Sequence, residues 1–96
     1  MKAKLDSDHP DVYIRIICQG CDQEHIFEHV RWHFNGNFEK PTFTPSVRIT
    51  WNEGVEQIPH CCHFNITDGI ITYCGDCTHG MSGQTIQLPD FPEEEK

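Results

Sequence analysis

The chain has little positive charge: seven lysines and arginines stand against fifteen aspartates and glutamates, for a formal net charge of −8. That balance repels a phosphate backbone, so nucleic acid is not expected as a partner. Long apolar runs are missing as well. No stretch approaches the ~20 apolar residues of a membrane span, and Met1-Lys2-Ala3-Lys4-Leu5-Asp6-Ser7-Asp8 lacks the apolar core of a secretory signal. The reading is therefore of a protein in a reducing cytoplasm, with no membrane contact. Helical periodicity beyond a turn or two is absent, and so are internal repeats and an interdomain linker. With 96 residues there is room for one modest core, which usually supplies only a few kcal/mol of net stability, so a staple is expected.

Cysteine and histidine are what the chain does have, six and seven of them. In a reducing compartment a Cys-x-x-Cys pair reads as metal-binding or catalytic rather than as a disulfide. The run from Asp11 to Cys18 alternates as a strand does, and a second extended segment runs from His25 to His29. Cys18 and Cys21 then lie on the bend between two strands, which is how a zinc knuckle is built. A thioredoxin-like dithiol would want a βαβ context that is missing here. From Trp32 to Ser46 the composition is that of an ordered loop. Alternation returns over Ser46 to Trp51, with Val47, Ile49 and Trp51 on one face.

The strongest local signal is a hairpin: His60 to Thr67, the turn Asp68-Gly69, then Ile70 to Cys77. Pairing Thr67 with Ile70 sets Asn65 against Thr72, His63 against Cys74 and Cys61 against Asp76. One face then carries Cys62, Phe64, Ile66, Ile71, Tyr73 and Cys77, and the other Cys61, His63, Asn65, Thr72, Cys74 and Asp76. The predicted zinc ligands are Cys18, Cys21, Cys62 and Cys77, with His79 as the alternative ligand and His63 as a further candidate for a mixed site. Cys61 and Cys74 read as ordinary core thiols. The predicted fold is all-β: a small single-domain antiparallel sheet with a zinc knuckle and long ordered loops. Residues 1–88 form the zinc-stabilised domain, and 89–96 an acidic, flexible tail.

From about Trp32 to Leu88, further residues carry a resemblance. They are Phe34-Asn35-Gly36, the run Lys40 to Ser46, Cys62-His63, Asp68-Gly69, Asp76-Cys77-Thr78-His79 and Gly83-Gln84-Thr85, with Cys18 and Cys21 upstream. In these the chain resembles a family of small phage and bacterial proteins that includes the BubE-type peptidase of bacterial ubiquitination-like operons. The resemblance implies a zinc-stabilised peptidase or esterase that removes a ubiquitin-like protein from its conjugates. It implies the cytoplasm of a bacterial cell or phage-infected host as the setting.

Acyl transfer needs a nucleophile, a base within hydrogen-bond reach and a group that orients the base. Ser46 is the candidate nucleophile, His63 the base and Asp76 the orienting carboxylate. Gly83-Gln84-Thr85 is a candidate source of oxyanion donors. Plainer roles compete: Ser46 as a strand start, His63 as a zinc ligand, Asp76 as an acceptor of loop N–H groups. Ser82 resembles a nucleophile elbow but lacks the strand and helix that an elbow requires. Trp32, Phe34, Phe38 and Phe43 line either a peptide groove or the core. Two other functions stay open: a non-catalytic, zinc-stabilised protein-interaction module, and a zinc-dependent hydrolase whose metal activates water.

Overall fold

The computed structural model describes residues 1–92; residues 93–96, the glutamates and lysine of the expected tail, lie outside the described residues. As the alternation predicts, the chain is all-β, with no helix among the described residues and so none long and apolar enough to cross a membrane. Its strands are β1 (Ala3–Leu5), β2 (Tyr13–Cys18), β3 (Gln23–Glu28), β4 (His33–Phe34), β5 (Phe43–Glu53), β6 (Ile58–Thr67), β7 (Ile70–Tyr73) and β8 (Thr85–Gln87). They form two antiparallel sheets, one in the order β1-β2-β3 and the other β4-β5-β6-β7-β8. The short strands β1, β4 and β8 fall outside the sequence reading. Each has two or three residues, too few for a period-2 pattern to stand out.

The inner faces of the two sheets meet in one core. Ile14, Ile16 and Cys18 of β2 and Phe27 of β3 pack with Val47 of β5, Cys62, Phe64 and Ile66 of β6, and Ile71 and Tyr73 of β7. His25 stacks on Phe64 with ring centroids 5.9 Å apart, and Phe27 meets Phe43 edge to face at 4.9 Å. Trp32, Phe34 and Phe38 pack against the same core. Truncating a buried phenylalanine such as Phe64 costs about 3–5 kcal/mol, a large part of what a domain of this size has. At the end of the described chain Leu88 and Phe91 are buried, and the Phe91 N–H donates to the Met1 carbonyl.

The hairpin turn forms as Asp-Gly predicts, with Asp68 at φ 51° and Gly69 at φ 77°. Thr67 pairs with Ile70, Asn65 with Thr72 and Phe64 with Tyr73. Past Tyr73 the pairing departs from the sequence reading. The Cys74 N–H still reaches the His63 carbonyl, but the chain then turns through Gly75, with Cys77 N–H on the Cys74 carbonyl. Thr78, not Asp76, meets Cys61: its N–H donates to the Cys61 carbonyl at 2.9 Å and its hydroxyl accepts the Cys61 N–H. The turn inserts two residues into the register, and every side chain beyond it is displaced accordingly.

Candidate functional site

β5 carries Ser46 at an irregularity. Between Phe43 and Val47 it advances four residues while β6 advances two, from Ile66 to Phe64. A bulge of this kind leaves residues unpaired and re-aims their side chains. The Ser46 hydroxyl lies 3.2 Å from His63 Nε2 on β6. The Trp32 indole N–H holds the Ser46 carbonyl at 3.3 Å. On the other edge of the His63 ring, Nδ1 lies 3.0 and 3.1 Å from the two carboxylate oxygens of Asp76. An ionised carboxylate only accepts, so the tautomer that satisfies both contacts has its proton on Nδ1 and leaves Nε2 to accept from Ser46. Ser46, His63 and Asp76 thus stand in one hydrogen-bonded chain.

Arg48, opposite His63 in the ladder, reaches Asp76 with its Nε at 3.4 Å. Desolvation raises the Asp76 pKa, but the hydrogen bond and electrostatic pull of His63, with the Arg48 hydrogen bond behind them, outweigh it and hold the carboxyl below its usual range. The sequence reading does not reach Arg48, and it assigns Trp32 only to a groove or the core. The register that pairs Arg48 with His63 would have found the first, whereas the second depends on the loop path between β3 and β5.

The oxyanion donors expected on Gly83-Gln84-Thr85 are engaged elsewhere. Gly83 N–H donates to the Tyr73 carbonyl, Gln84 N–H to Met81, the Gln84 amide to Gly80, and the Thr85 hydroxyl to Thr72. Ser82 donates its hydroxyl to the Cys74 carbonyl within a turn.

On the opposite face of β6 a second group converges. The sulfurs of Cys18, Cys21 and Cys62 and one ring nitrogen of His79 all lie within 4.8 Å of one another. Cys18 and Cys62 sulfurs are 3.7 Å apart, and Cys62 Sγ lies 3.3 Å from His79 Nε2. A tetrahedral ion with bonds of about 2.3 Å to sulfur and 2.0 Å to nitrogen requires edges of about 3.8 and 3.5 Å, so the donor set fits a metal ion in type and spacing. Cys77 is not in the group. Its sulfur contacts the His63 main chain, 3.2 Å from the nitrogen and 3.1 Å from the oxygen. The turn after Tyr73 explains the exchange, because it leaves Cys77 against the His63 main chain and brings His79 to the knuckle.

The surroundings are shaped for these four residues. A Cβ on Gly20 would sit 2.4 Å from the His79 ring, so only glycine lets the ring close over the knuckle. The Tyr73 hydroxyl donates to Cys18 at 3.2 Å and accepts the Gly20 N–H, while the Cys21 N–H points at Cys18 at 3.4 Å. A hydrogen bond from Cys62 favours the thiolate of Cys18, despite burial, and the same bond pushes the Cys62 thiol up. Burial and the Cys18 charge raise Cys21 likewise. Three thiolates at this spacing need a cation among them. One contact opposes the fit: His79 Nδ1 accepts the Met81 N–H at 3.2 Å, which puts the ring proton on Nε2. An ion bound at Nε2 moves that proton to Nδ1, so the Met81 contact has to open.

The two-sheet β domain thus carries a hydrogen-bonded Ser-His-Asp chain on one face of β6 and, on the other, a Cys₃His group that could hold a metal ion. A family model described as "Bacterial ubiquitination-like system serine protease (BubE)" matches residues 3–74, and the chain belongs to that family. No curated protein and no solved structure matches it.

Proposed function

We propose that the protein is a serine-type hydrolase that cleaves the acyl link between a ubiquitin-like protein and its conjugates, and that a zinc ion at Cys18, Cys21, Cys62 and His79 holds the fold. The observation that carries the proposal is the unbroken Ser46–His63–Asp76 chain in a member of a family described as serine proteases of ubiquitination-like systems. In this reading His63 Nε2 takes the proton from the Ser46 hydroxyl as it attacks the carbonyl carbon, and then gives it to the leaving amine or alkoxide. Asp76 keeps the ring in the required tautomer and stabilises the imidazolium, and Arg48 keeps Asp76 in place. Water then resolves the acyl-enzyme along the same proton path. A zinc ion, when bound, ties the β2–β3 bend to β6 and to the segment after β7 and offsets the thiolate charge.

The four donors of the Cys₃His group leave no open position there for an activated water, which weighs against a metal-activated hydrolase at that site. The test is cleavage of a ubiquitin-like conjugate by wild type and by Ser46→Ala. The variant should lose cleavage while keeping its fold and metal content. Equal rates would end the hydrolase reading and leave an interaction module in its place.

A further inference from the structure

We infer that His63, Cys74 and Asp76 form a second, exchangeable site for a thiophilic divalent cation, and that occupancy there switches off the proton path of the proposed hydrolase. His63 Nδ1, the Cys74 sulfur and an Asp76 carboxylate oxygen lie within 4.8 Å of one another. The buried Cys61 sulfur stands 4.0 Å from the same carboxylate and lies outside this group. Nitrogen, thiolate and carboxylate together suit zinc, cobalt or cadmium better than calcium or magnesium. Three protein donors on a partly exposed surface leave the remaining position to water, in contrast to the closed, core-facing Cys₃His set. Arg48 already holds Asp76 at 3.4 Å; it is more than half exposed, so it can swing into solvent.

The chemical consequence follows from the tautomer. Binding exchanges three of the cation's bound waters, released to solvent, for His63 Nδ1, Cys74 Sγ and an Asp76 carboxylate oxygen. The thiol proton leaves to solvent, and the single ring proton, displaced from Nδ1, resides on Nε2. That N–H faces the Ser46 hydroxyl 3.2 Å away and has no lone pair with which to accept its proton. The inhibitory step rests on the hydrolase reading; the metal site does not.

The experiment is a cobalt(II) titration of protein that already holds its zinc. It follows thiolate-to-cobalt charge-transfer absorbance, retained zinc, and the rate at which a fluorophosphonate labels Ser46. One further equivalent of cobalt should bind without releasing zinc, and the labelling rate should fall in proportion to the occupied fraction. A chelator too weak to strip the zinc should restore it. Cys74→Ser should lose the added absorbance, and His63→Gln gives the same test should the first variant not fold. No added absorbance, cobalt that enters only by displacing zinc, or an unchanged band in both variants would overturn the site. If Ser46 is unlabelled even without cobalt, the hydrolase reading fails while the absorbance still decides the metal site.

Discussion

Cys62 and His63 are consecutive residues on β6, yet they belong to two different kinds of chemistry. Cys62 is fully buried and faces the sulfurs of Cys18 and Cys21; His63 is partly exposed and faces Ser46 and Asp76. The alternation of a strand is what keeps them apart. A metal ligand must hold its lone pair on the ion, whereas a general base must release its own for a proton. Neighbouring positions on one strand separate those demands by the thickness of the sheet. On the proposed reading, that separation lets a chain of under a hundred residues carry a structural metal ligand and a general base side by side.

The largest effect expected from breaking this comparison lies on the buried side. Removal of the ion by a strong chelator, or Cys62→Ser, should unfold the protein, since structural zinc in small domains supplies about 10–16 kcal/mol of apparent binding energy. Circular dichroism and zinc content read it together, and a fold that survives complete metal loss would contradict the role. On the exposed side, Ser46→Ala should lower kcat/KM by up to ~10⁶-fold, as for nucleophiles of other triads, with Tm and metal content at wild-type values. Asp76→Asn should cost less, on the order of 10⁴-fold, through loss of the Nδ1–H tautomer.

The boundary between the two faces can be sharpened with the paired variants His79→Ala and Cys77→Ser. The first should lose bound metal and the second should keep one equivalent. The reverse result would put Cys77 back into the ligand set. The smallest effect concerns acid. Asp76 is held below the usual carboxylate range, and so is Asp6, chiefly by its hydrogen bond from Arg15. A depressed native pKa adds stability that is complete above the unfolded-state value and is lost as pH falls through the native one. Asp6→Asn should therefore flatten the acid limb of stability against pH without touching activity at neutral pH. An unchanged limb would show that the Asp6–Arg15 pair adds nothing.

Much of this was legible in the sequence where a period or a turn signal governs structure. The alternation of β2, β5 and β6 gives the all-β fold, and Asp68-Gly69 fixes the hairpin register through Phe64 and Tyr73. His63 and Asp76 are legible from their chemistry and shared hairpin face, Ser46 from the loop that it closes, and the structure brings the three within hydrogen-bond distance. Yet Asp76 arrives by a route the register did not contain. Extrapolating the hairpin put it opposite Cys61, whereas the turn at Gly75 gives that place to Thr78. The same two-residue insertion trades Cys77 for His79. Gly75 is the local sign of a break in pairing, since a glycine inside a strand pattern suggests a bulge, but nothing local says that two residues are inserted there. Gly20 is a similar case: its small size is needed only because His79, far away in sequence, folds over it.

The most direct test of the central claim is to label the zinc-replete protein with a fluorophosphonate and map the modified residue by mass spectrometry, alongside His63→Ala. Modification at Ser46 in the wild type, its loss in His63→Ala, and full zinc content in both are the expected result. Labelling at another serine, or none on folded, metal-bound protein, would contradict a working Ser46–His63–Asp76 chain.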